Sequence, residues 1–280
     1  MRSLGKLKIE RLKVKKYIFI LLAGMALVGC QVIPEDERLI EVPMTINGDI
    51  HPHVLIEYTG FRCINCPLAA EQAHDLQQLY GNNLIVVAMH PASNPFTQGV
   101  YDYTCPASDI YYQFMGGTAT TPFPTGNIDM MEYENNYLID YTTWPALIKE
   151  QMNDITDIHL QATATLDAQT RDITINTTAY AGEAIDVELV LWLTEDSITG
   201  AQLMPDGTAN MEYTHNHVLR GAAGEPWGKK LSLSTMPKHD TATLHLPDQC
   251  NAANCHIVAL IIDKDDKHIL NATEPKIQNK

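Results

Sequence analysis

The sequence predicts an α/β domain followed by an all-β domain, the second a β-sandwich of the immunoglobulin-like kind. Residues 53–157 open with a strand, a helix and a second strand and close with a further strand and helix, an order typical of α/β domains. Residues 158–280 contain short alternating segments separated by Gly, Pro and Asp, which indicates a sandwich of antiparallel strands. A chain of 280 residues is long enough for both cores.

The α/β part begins with the apolar run "HVLIEYTG", which predicts a strand ending near Gly60. The stretch "CPLAAEQAHDLQQLYG" has helical spacing and is expected to end at Gly81. One face of that helix is predicted to carry Leu68, Ala69, Gln72, Leu76, Leu79 and Tyr80. The continuous apolar run "NLIVVAMH" that follows is typical of a buried parallel strand.

The rest of the α/β part starts with an insertion over residues 91–121, with a helix predicted around "ASDIYYQFM". After it, "TPFPTGNIDMMEY" predicts a turn leading into a strand. The stretch "TTWPALIKEQMNDI" predicts a helix with Thr143 at its N-cap.

The all-β part starts with "HLQATATLDAQTRDITINTTAYAG", which alternates across a turn predicted at residues 167–170. The segment "IDVELVLWLTED" predicts another strand, and further short apolar segments follow up to the C-terminus. We therefore place the domain boundary between residues 157 and 158.

The N-terminus has the features of an export signal. Residues 1–29 combine a basic stretch with the run "YIFILLAGMALVG", which is too short for a comfortable membrane span. The run ends in "LVGC", which resembles a bacterial lipobox, in which the cysteine becomes the lipidated first residue. We predict a signal peptide over residues 1–29, a palmitate-type lipid anchor on Cys30 and a tether over residues 30–52. An ordinary cleaved signal and an N-terminal anchor helix are the alternatives.

Charge excludes one class of partner. The formal net charge is −15, and residues 1–29 hold seven of the 19 basic side chains and one of the 34 acidic ones. The remainder has 12 basic and 33 acidic residues, a net charge of −21. Such a surface repels phosphate backbones, so we expect no nucleic-acid partner.

Six cysteines are present, and lipidation of the first leaves five. Export places these in a compartment where thiols tend to form disulfides. The simplest pairing joins Cys63 to Cys66 and, as a structural disulfide, Cys250 to Cys255. Cys105 is then an extra thiol that is free, mixed or engaged in exchange.

The pair Cys63 and Cys66 forms a Cys-x-x-Cys motif between a predicted strand and a predicted helix. Unpaired N–H groups and the dipole at a helix N-terminus favour a thiolate, the attacking species in disulfide exchange. We therefore expect Cys63 to be the nucleophile and Cys66 the resolving thiol. A static disulfide, a zinc half-site completed by Cys250 and Cys255, and a copper site recruiting His90 or His53 are the alternatives.

The stretch "VLIEYTGFRCINC" resembles the thioredoxin pattern of apolar strand, loop and Cys-x-x-Cys. The resemblance implies that Glu57 is the buried acid that assists proton transfer at the resolving cysteine, although thioredoxins have Asp there. It also implies that Pro124 is the cis proline facing the two sulfurs, with Pro122 as a rival. The dipeptide between the cysteines, Ile64–Asn65, departs from well-studied oxidoreductases, so the direction of electron transfer stays open.

The "HNH" stretch at residues 215–217 invites a metal-binding interpretation. Alternation along a strand would place His215 and His217 on one face, where they could share an ion. A third ligand is not evident from the sequence, so we expect a structural or interface role and no bound metal or cofactor.

Two blocks, "EYTGFRCINCPLAA" with "VVAMH" and "THNHVLRGAAGEPWGKKL", resemble the family related to outer membrane protein 28, over roughly residues 50–270. The resemblance implies an outer membrane lipoprotein on the periplasmic or cell-surface face, with a thioredoxin-like and a β-rich domain. We expect thiol–disulfide exchange on exported proteins. A non-catalytic surface adhesin or binding module is the alternative, so whether the chain is an enzyme stays open.

Overall fold

The computed structural model describes residues 49–280, and Cys30 and the predicted signal peptide lie outside the described residues. Sixteen strands are present in this part of the chain. They are β1 (Asp49–Ile50), β2 (His53–Tyr58), β3 (Leu84–Met89), β4 (Thr125–Ile128), β5 (Ile155–Thr156), β6 (Ile158–Asp167), β7 (Asp172–Ala181), β8 (Ile185–Glu195), β9 (Ile198–Leu203), β10 (Ala209–His215), β11 (Val218–Ala222), β12 (Lys229–Leu233), β13 (Lys238–His245), β14 (Cys255–Asp263), β15 (Ile269–Thr273) and β16 (Ile277–Asn279).

Helices are few by comparison. The α-helices within residues 49–280 are α1 (Cys66–Tyr80), α2 (Pro106–Phe114) and α3 (Trp144–Gln151). Short 3₁₀ turns span Gly81–Asn83, Pro95–Thr97, Tyr141–Thr143 and Ala252–Asn254. The structure thus confirms a mixed helix and sheet protein that is rich in strands. None of the helices among residues 49–280 is long and apolar enough to cross a membrane.

The largest sheet has eight strands in the order β15–β14–β8–β11–β3–β2–β4, with β12 also paired to β8. Strand β2 runs parallel to β3 and antiparallel to β4, and α1 connects β2 to β3. Strand β11 joins the other side of β3 through the pair Val218 and Ala88. Strands from both sides of the predicted boundary at residues 157 and 158 therefore belong to one continuous sheet.

A second sheet, in the order β13–β7–β6–β16, contributes to an apolar core shared with β8 and β14 of the large sheet. The alternating pattern of β6 and β7 explains this placement, because every second side chain along β7 and most of those at alternate positions along β6 are buried. Two smaller pairs, β1 with β5 and β9 with β10, complete the described sheets.

The predicted elements around α1 are largely confirmed, with one correction to its buried face. The helix ends where expected, because Gly81 adopts a φ of +56°, which favours glycine. Its core side, however, consists of Ala69, Ala73 and Leu76, whereas Leu68 and Leu79 are exposed. Small alanine side chains let the helix lie close to the sheet, which a count of large apolar residues does not reveal.

Helix α3 starts directly after Thr143, as predicted, but the Thr143 side chain does not cap it. Its hydroxyl instead donates to the carbonyl of Asp140 at 2.7 Å, and the carboxylate of Asp140 accepts from the Thr142 N–H at 2.9 Å. The N-terminal capping side chain therefore belongs to the preceding 3₁₀ turn and not to α3.

Candidate functional site

Cys63 and Cys66 are joined by a disulfide at the junction of β2 and α1, with their Cα atoms 5.4 Å apart. Cys66 is the first residue of α1, and its N–H donates to the Sγ atom of Cys63 at 3.1 Å. Both cysteines are buried, with exposures of 2% and 1%, while Ile64 between them is 45% exposed. The motif thus reaches the surface through its intervening residues rather than through its sulfurs.

The start of α1 provides a favourable electrostatic setting for a thiolate at Cys63. Asn65 occupies the N-cap position without a side-chain hydrogen bond, Pro67 lies in the first turn, and the first turn carries no acidic residue. The helix dipole is therefore not neutralised by a side chain of this turn, and it stabilises negative charge on an adjacent sulfur.

Glu57 lies on β2, and its carboxyl group is only 2% exposed. Its Oε1 atom has no hydrogen-bond partner in the structure. Burial raises the pKa of Glu57 to about 7, against the opposing effect of a hydrogen bond from Thr59. A carboxyl group with such a pKa exchanges protons near neutral pH, which suits it to acid–base work.

A cavity of about 400 Å³ brings this acid and Cys66 together, since both residues line it. His90 and His215 line the same cavity, and neither ring nitrogen of His90 has a hydrogen-bond partner. Burial lowers the pKa of His90 to about 3 and that of His215 to about 4. Both rings are therefore neutral at physiological pH, whereas Glu57 titrates close to it.

The peptide bond between Phe123 and Pro124 is cis, and it is the only cis bond among residues 49–280. Pro122, the rival for this position, is preceded by a trans bond. Pro124 directly precedes β4, whose first residue Thr125 pairs with Tyr58 at the end of β2. This register brings Pro124 to the edge of the sheet from which the chain continues to Cys63.

A cap from the second half of the chain covers this edge. We use the term cap for the hairpin of β9 and β10, residues 198–215. The Leu203 N–H donates to the carbonyl of Phe61 at 2.8 Å. The side-chain amide of Gln202 donates to the carbonyl of Cys63 at 2.9 Å and to that of Gly60 at 3.5 Å. These bonds tie the cap directly to the loop that carries the first cysteine.

The predicted insertion packs against the cap. A Cβ atom added at Gly200 of β9 would lie 1.8 Å from the hydroxyl of Tyr103, so only glycine fits there. The rings of Tyr101 and Tyr103 also pack on Phe61, with centroids 5.6 and 6.2 Å away. The insertion and the cap therefore both pack on the loop that leads to Cys63.

Cys105, the extra thiol, lies at the N-terminus of α2 and is buried in the same apolar cluster as Cys63 and Cys66. Its Sγ atom is 3.3 Å from the hydroxyl oxygen of Ser108. Burial raises the pKa of Cys105, which keeps this thiol protonated and weakly reactive.

The other sequence-predicted residues lie in different places. The Nε2 atom of His53 donates to the carbonyl of Gln151 at 2.8 Å, and Nδ1 lies 2.5 Å from the carboxylate of Asp129, so both ring nitrogens are already engaged. Cys250 and Cys255 are free thiols. Cys255 is the first residue of β14 and Cys250 lies in the loop before it, and the disulfide predicted between them stays a prediction.

Sequence reasoning missed Gln202. It lies 139 residues from Cys63 along the chain, and nothing in "ITGAQL" distinguishes this amide from an ordinary polar residue of a strand. Its role emerges only when the hairpin folds back over the Cys-x-x-Cys loop.

Comparison with known proteins identifies the family of this chain. The family described as Outer membrane protein Omp28 matches residues 111–280, which is more than half of the chain. The chain belongs to the Omp28 family. The match starts after Cys63 and Cys66, so both cysteines and Glu57 lie outside the matched segment, whereas Pro124 and Gln202 lie inside it. Membership in this family of outer membrane proteins confirms the predicted outer membrane localisation.

Two solved structures are similar to this Omp28 family member. A protein from Agrobacterium tumefaciens is 12% identical, with a TM-score of 0.48 over 81% of this chain and 94% of that chain. A domain of the outer membrane lipoprotein Omp28 from Porphyromonas gingivalis is 21% identical, with a TM-score of 0.34 over 45% of this chain and 93% of that chain. A search among curated proteins found no match.

Proposed function

We propose that this Omp28 family member is a thiol–disulfide oxidoreductase that acts on exported proteins. The observation that carries the proposal is the shared cavity of Glu57 and Cys66, because it couples a buried acid with a pKa of about 7 to the resolving cysteine. The lipid on Cys30 and the tether over residues 30–52 would hold this activity at the outer membrane.

The reaction is a pair of exchange steps. In the reduced chain the Cys63 thiolate attacks one sulfur of a substrate disulfide, forms a mixed disulfide and expels the other substrate sulfur as a thiolate. Glu57 then accepts the proton of Cys66, and the resulting thiolate attacks the Cys63 sulfur. The substrate leaves with two thiols, and the chain retains the Cys63–Cys66 disulfide. The reverse sequence would oxidise a dithiol substrate.

The arrangement of strands supports a thioredoxin-like interpretation of residues 53–157. Strand β2 lies between parallel β3 and antiparallel β4, α1 follows the Cys-x-x-Cys motif, and Pro124 forms its cis bond just before β4. Proline has no backbone N–H to donate. In the cis form it leaves neighbouring backbone groups beside the sulfurs free to pair with an extended substrate. In this proposal the sandwich of residues 158–280, immunoglobulin-like in type, recruits the protein partner.

A second candidate function is a surface binding module or adhesin that uses the same fold as a scaffold. The burial of both sulfurs under the cap favours it, because a catalytic Cys63 has to meet its substrate. In that case the disulfide is a permanent clip, and the partner binds elsewhere on the surface.

The reduction potential of the Cys63–Cys66 pair distinguishes the two. The full chain, purified in detergent, is equilibrated with thiol buffers of known potential, its free thiols are trapped by alkylation, and they are counted by mass spectrometry. A value between about −120 and −270 mV supports exchange. A value below about −300 mV, or no reduction without unfolding, rejects the oxidoreductase and supports the scaffold.

A further inference from the structure

A buried cluster of chemically reactive groups lies at the end of the large sheet, away from the Cys63–Cys66 disulfide. Glu195 is the last residue of β8, and Cys255, the first of β14, pairs with it across the ladder. Cys250 lies in the loop before β14, and Arg220 extends from the neighbouring strand β11. The two thiols and the carboxylate are each about 4% exposed.

The three potential donor atoms converge. One carboxylate oxygen of Glu195 and the Sγ atoms of Cys250 and Cys255 all lie within 4.8 Å of one another. Arg220 lies beside them, with its Nε atom 3.3 Å from Oε2 of Glu195 and 3.4 Å from the sulfur of Cys250. Two sulfurs and one carboxylate at this spacing match the ligand types that zinc binds in proteins.

We propose that Cys250, Cys255 and Glu195 form a binding site for a thiophilic divalent cation, with zinc as the representative ion. The three side chains supply three of the four positions of a tetrahedral site, and the fourth is left for water or another small ligand. This site is independent of the exchange chemistry proposed at Cys63.

Charge balance supports binding of a divalent ion. Two thiolates and a carboxylate carry three negative charges, and a divalent ion together with the guanidinium of Arg220 carries three positive ones. In the structure Glu195 already pairs with Arg220. The three anionic ligands, the guanidinium and one divalent ion therefore sum to zero, which avoids the cost of an uncompensated buried charge.

The surrounding structure holds the ligands in position. The Asn251 N–H donates to Oε1 of Glu195 at 2.6 Å, which ties the loop to the end of β8. The guanidinium of Arg171 donates to the carbonyl of Cys250 at 3.0 Å and to that of Pro247 at 2.8 Å. Outer-shell hydrogen bonds of this kind orient metal ligands and tune their affinity. Each carboxylate oxygen of Glu195 still has acceptor capacity beyond these bonds.

One of the three ligands also borders a cavity. A cavity of about 450 Å³ is lined by Cys255 and by the 3₁₀ turn that separates it from Cys250. Small ions reach buried thiols through such openings more readily than a protein disulfide does, because they need little room.

The rival is the disulfide between Cys250 and Cys255 that the sequence predicts. It uses the same two sulfurs, and the oxidising compartment favours it. It makes no use of Glu195, however, whereas a metal site needs all three groups. The two alternatives therefore differ in thiol state, in metal content and in their dependence on Glu195.

The test starts with the full chain extracted from the cell envelope in detergent. The chain is denatured at once in the presence of a chelator and then treated with an alkylating agent. Alkylation of both Cys250 and Cys255 is expected, and a mass lower by two hydrogens across this pair overturns the proposal. Zinc binding is then measured on chain carrying Cys63→Ser and Cys66→Ser, so that the other cysteine pair cannot contribute.

In that background we expect one zinc ion per chain by native mass spectrometry and by competition with a chromophoric chelator. Cobalt(II) should give the charge-transfer absorption of thiolate ligation. Adding Glu195→Gln should weaken zinc binding by at least about 10-fold, the lower end of the loss seen for outer-shell partners. Cys250→Ser should abolish both signals, and Cys105→Ser, which removes a buried thiol from a different cluster, should preserve them. Absence of binding, or binding that survives Cys250→Ser, overturns the proposal.

Discussion

The buried carboxyl of Glu57 makes the stability of the folded chain depend on pH in a specific way. Burial raises the pKa of Glu57 from 4.5 to about 7 in the folded state, while the unfolded chain exposes it to water. The folded state therefore holds this proton more tightly than the unfolded state does. The contribution of this carboxyl group to the free energy of unfolding is fully present below its unfolded pKa and is lost as the pH rises through its folded pKa.

The magnitude follows from the shift. The difference of 7 − 4.5 = 2.5 pH units, at about 1.4 kcal/mol per unit, corresponds to a loss of about 3 kcal/mol once the pH exceeds 7. Replacing Glu57 by Gln keeps a similar shape but removes the ionisation. We expect Glu57→Gln to match the wild type near about pH 4.5 and to be about 3 kcal/mol more stable near about pH 8.

The assay is reversible urea unfolding of the full chain in detergent with its disulfide intact, followed over this pH range by tryptophan fluorescence. Trp144 and Trp192 are fully buried and report the loss of structure. Glu71→Gln is the matched control, because Glu71 is an exposed carboxyl at the rim of the same cavity and should follow the wild-type curve. A Glu57→Gln difference that stays constant with pH would refute the reasoning.

Three further outcomes are expected. Gln202→Ala, which removes the amide that donates to the carbonyl of Cys63, should speed alkylation of the reduced Cys63 thiol, and an unchanged rate would mean that the cap does not restrict access. Asp129→Ala should destabilise the chain by about 3–5 kcal/mol in denaturant unfolding, because it strips the buried His53 ring and the Val54 N–H of their partner, and a loss below about 1 kcal/mol contradicts this. Trp192→Ala should cost about 3–5 kcal/mol by the same measurement, since its side chain is fully buried in the large sheet.

Local pattern was sufficient for most of the elements near the candidate site. The apolar run of β3 predicted a buried parallel strand because strands covered on both faces lack alternation, and all six residues of that strand are buried. The helix after the Cys-x-x-Cys motif and its end at Gly81 followed from helical spacing and a glycine stop. These signals are encoded by neighbours in the chain, so no tertiary information was needed.

The predicted face of α1 was wrong at Leu68 and Leu79 for a physical reason. Helical periodicity identifies an apolar stripe but not its exact orientation, and a 15-residue helix with small residues offers more than one. The sheet selects the side with Ala69 and Ala73, because small side chains permit the closest approach.

The sequence alone predicted the export signal and supplied the Cys-x-x-Cys motif, the candidate acid Glu57 and the proline before β4, because each rests on residues close together in the chain or on a resemblance to a known pattern. Tertiary structure decided the rest. The continuous sheet, the cap that ties Gln202 to Cys63, and the convergence of Glu195 with Cys250 and Cys255 all join segments that are far apart in sequence. Such contacts depend on how strands pair and layers pack, and a single sequence carries no local signal for them.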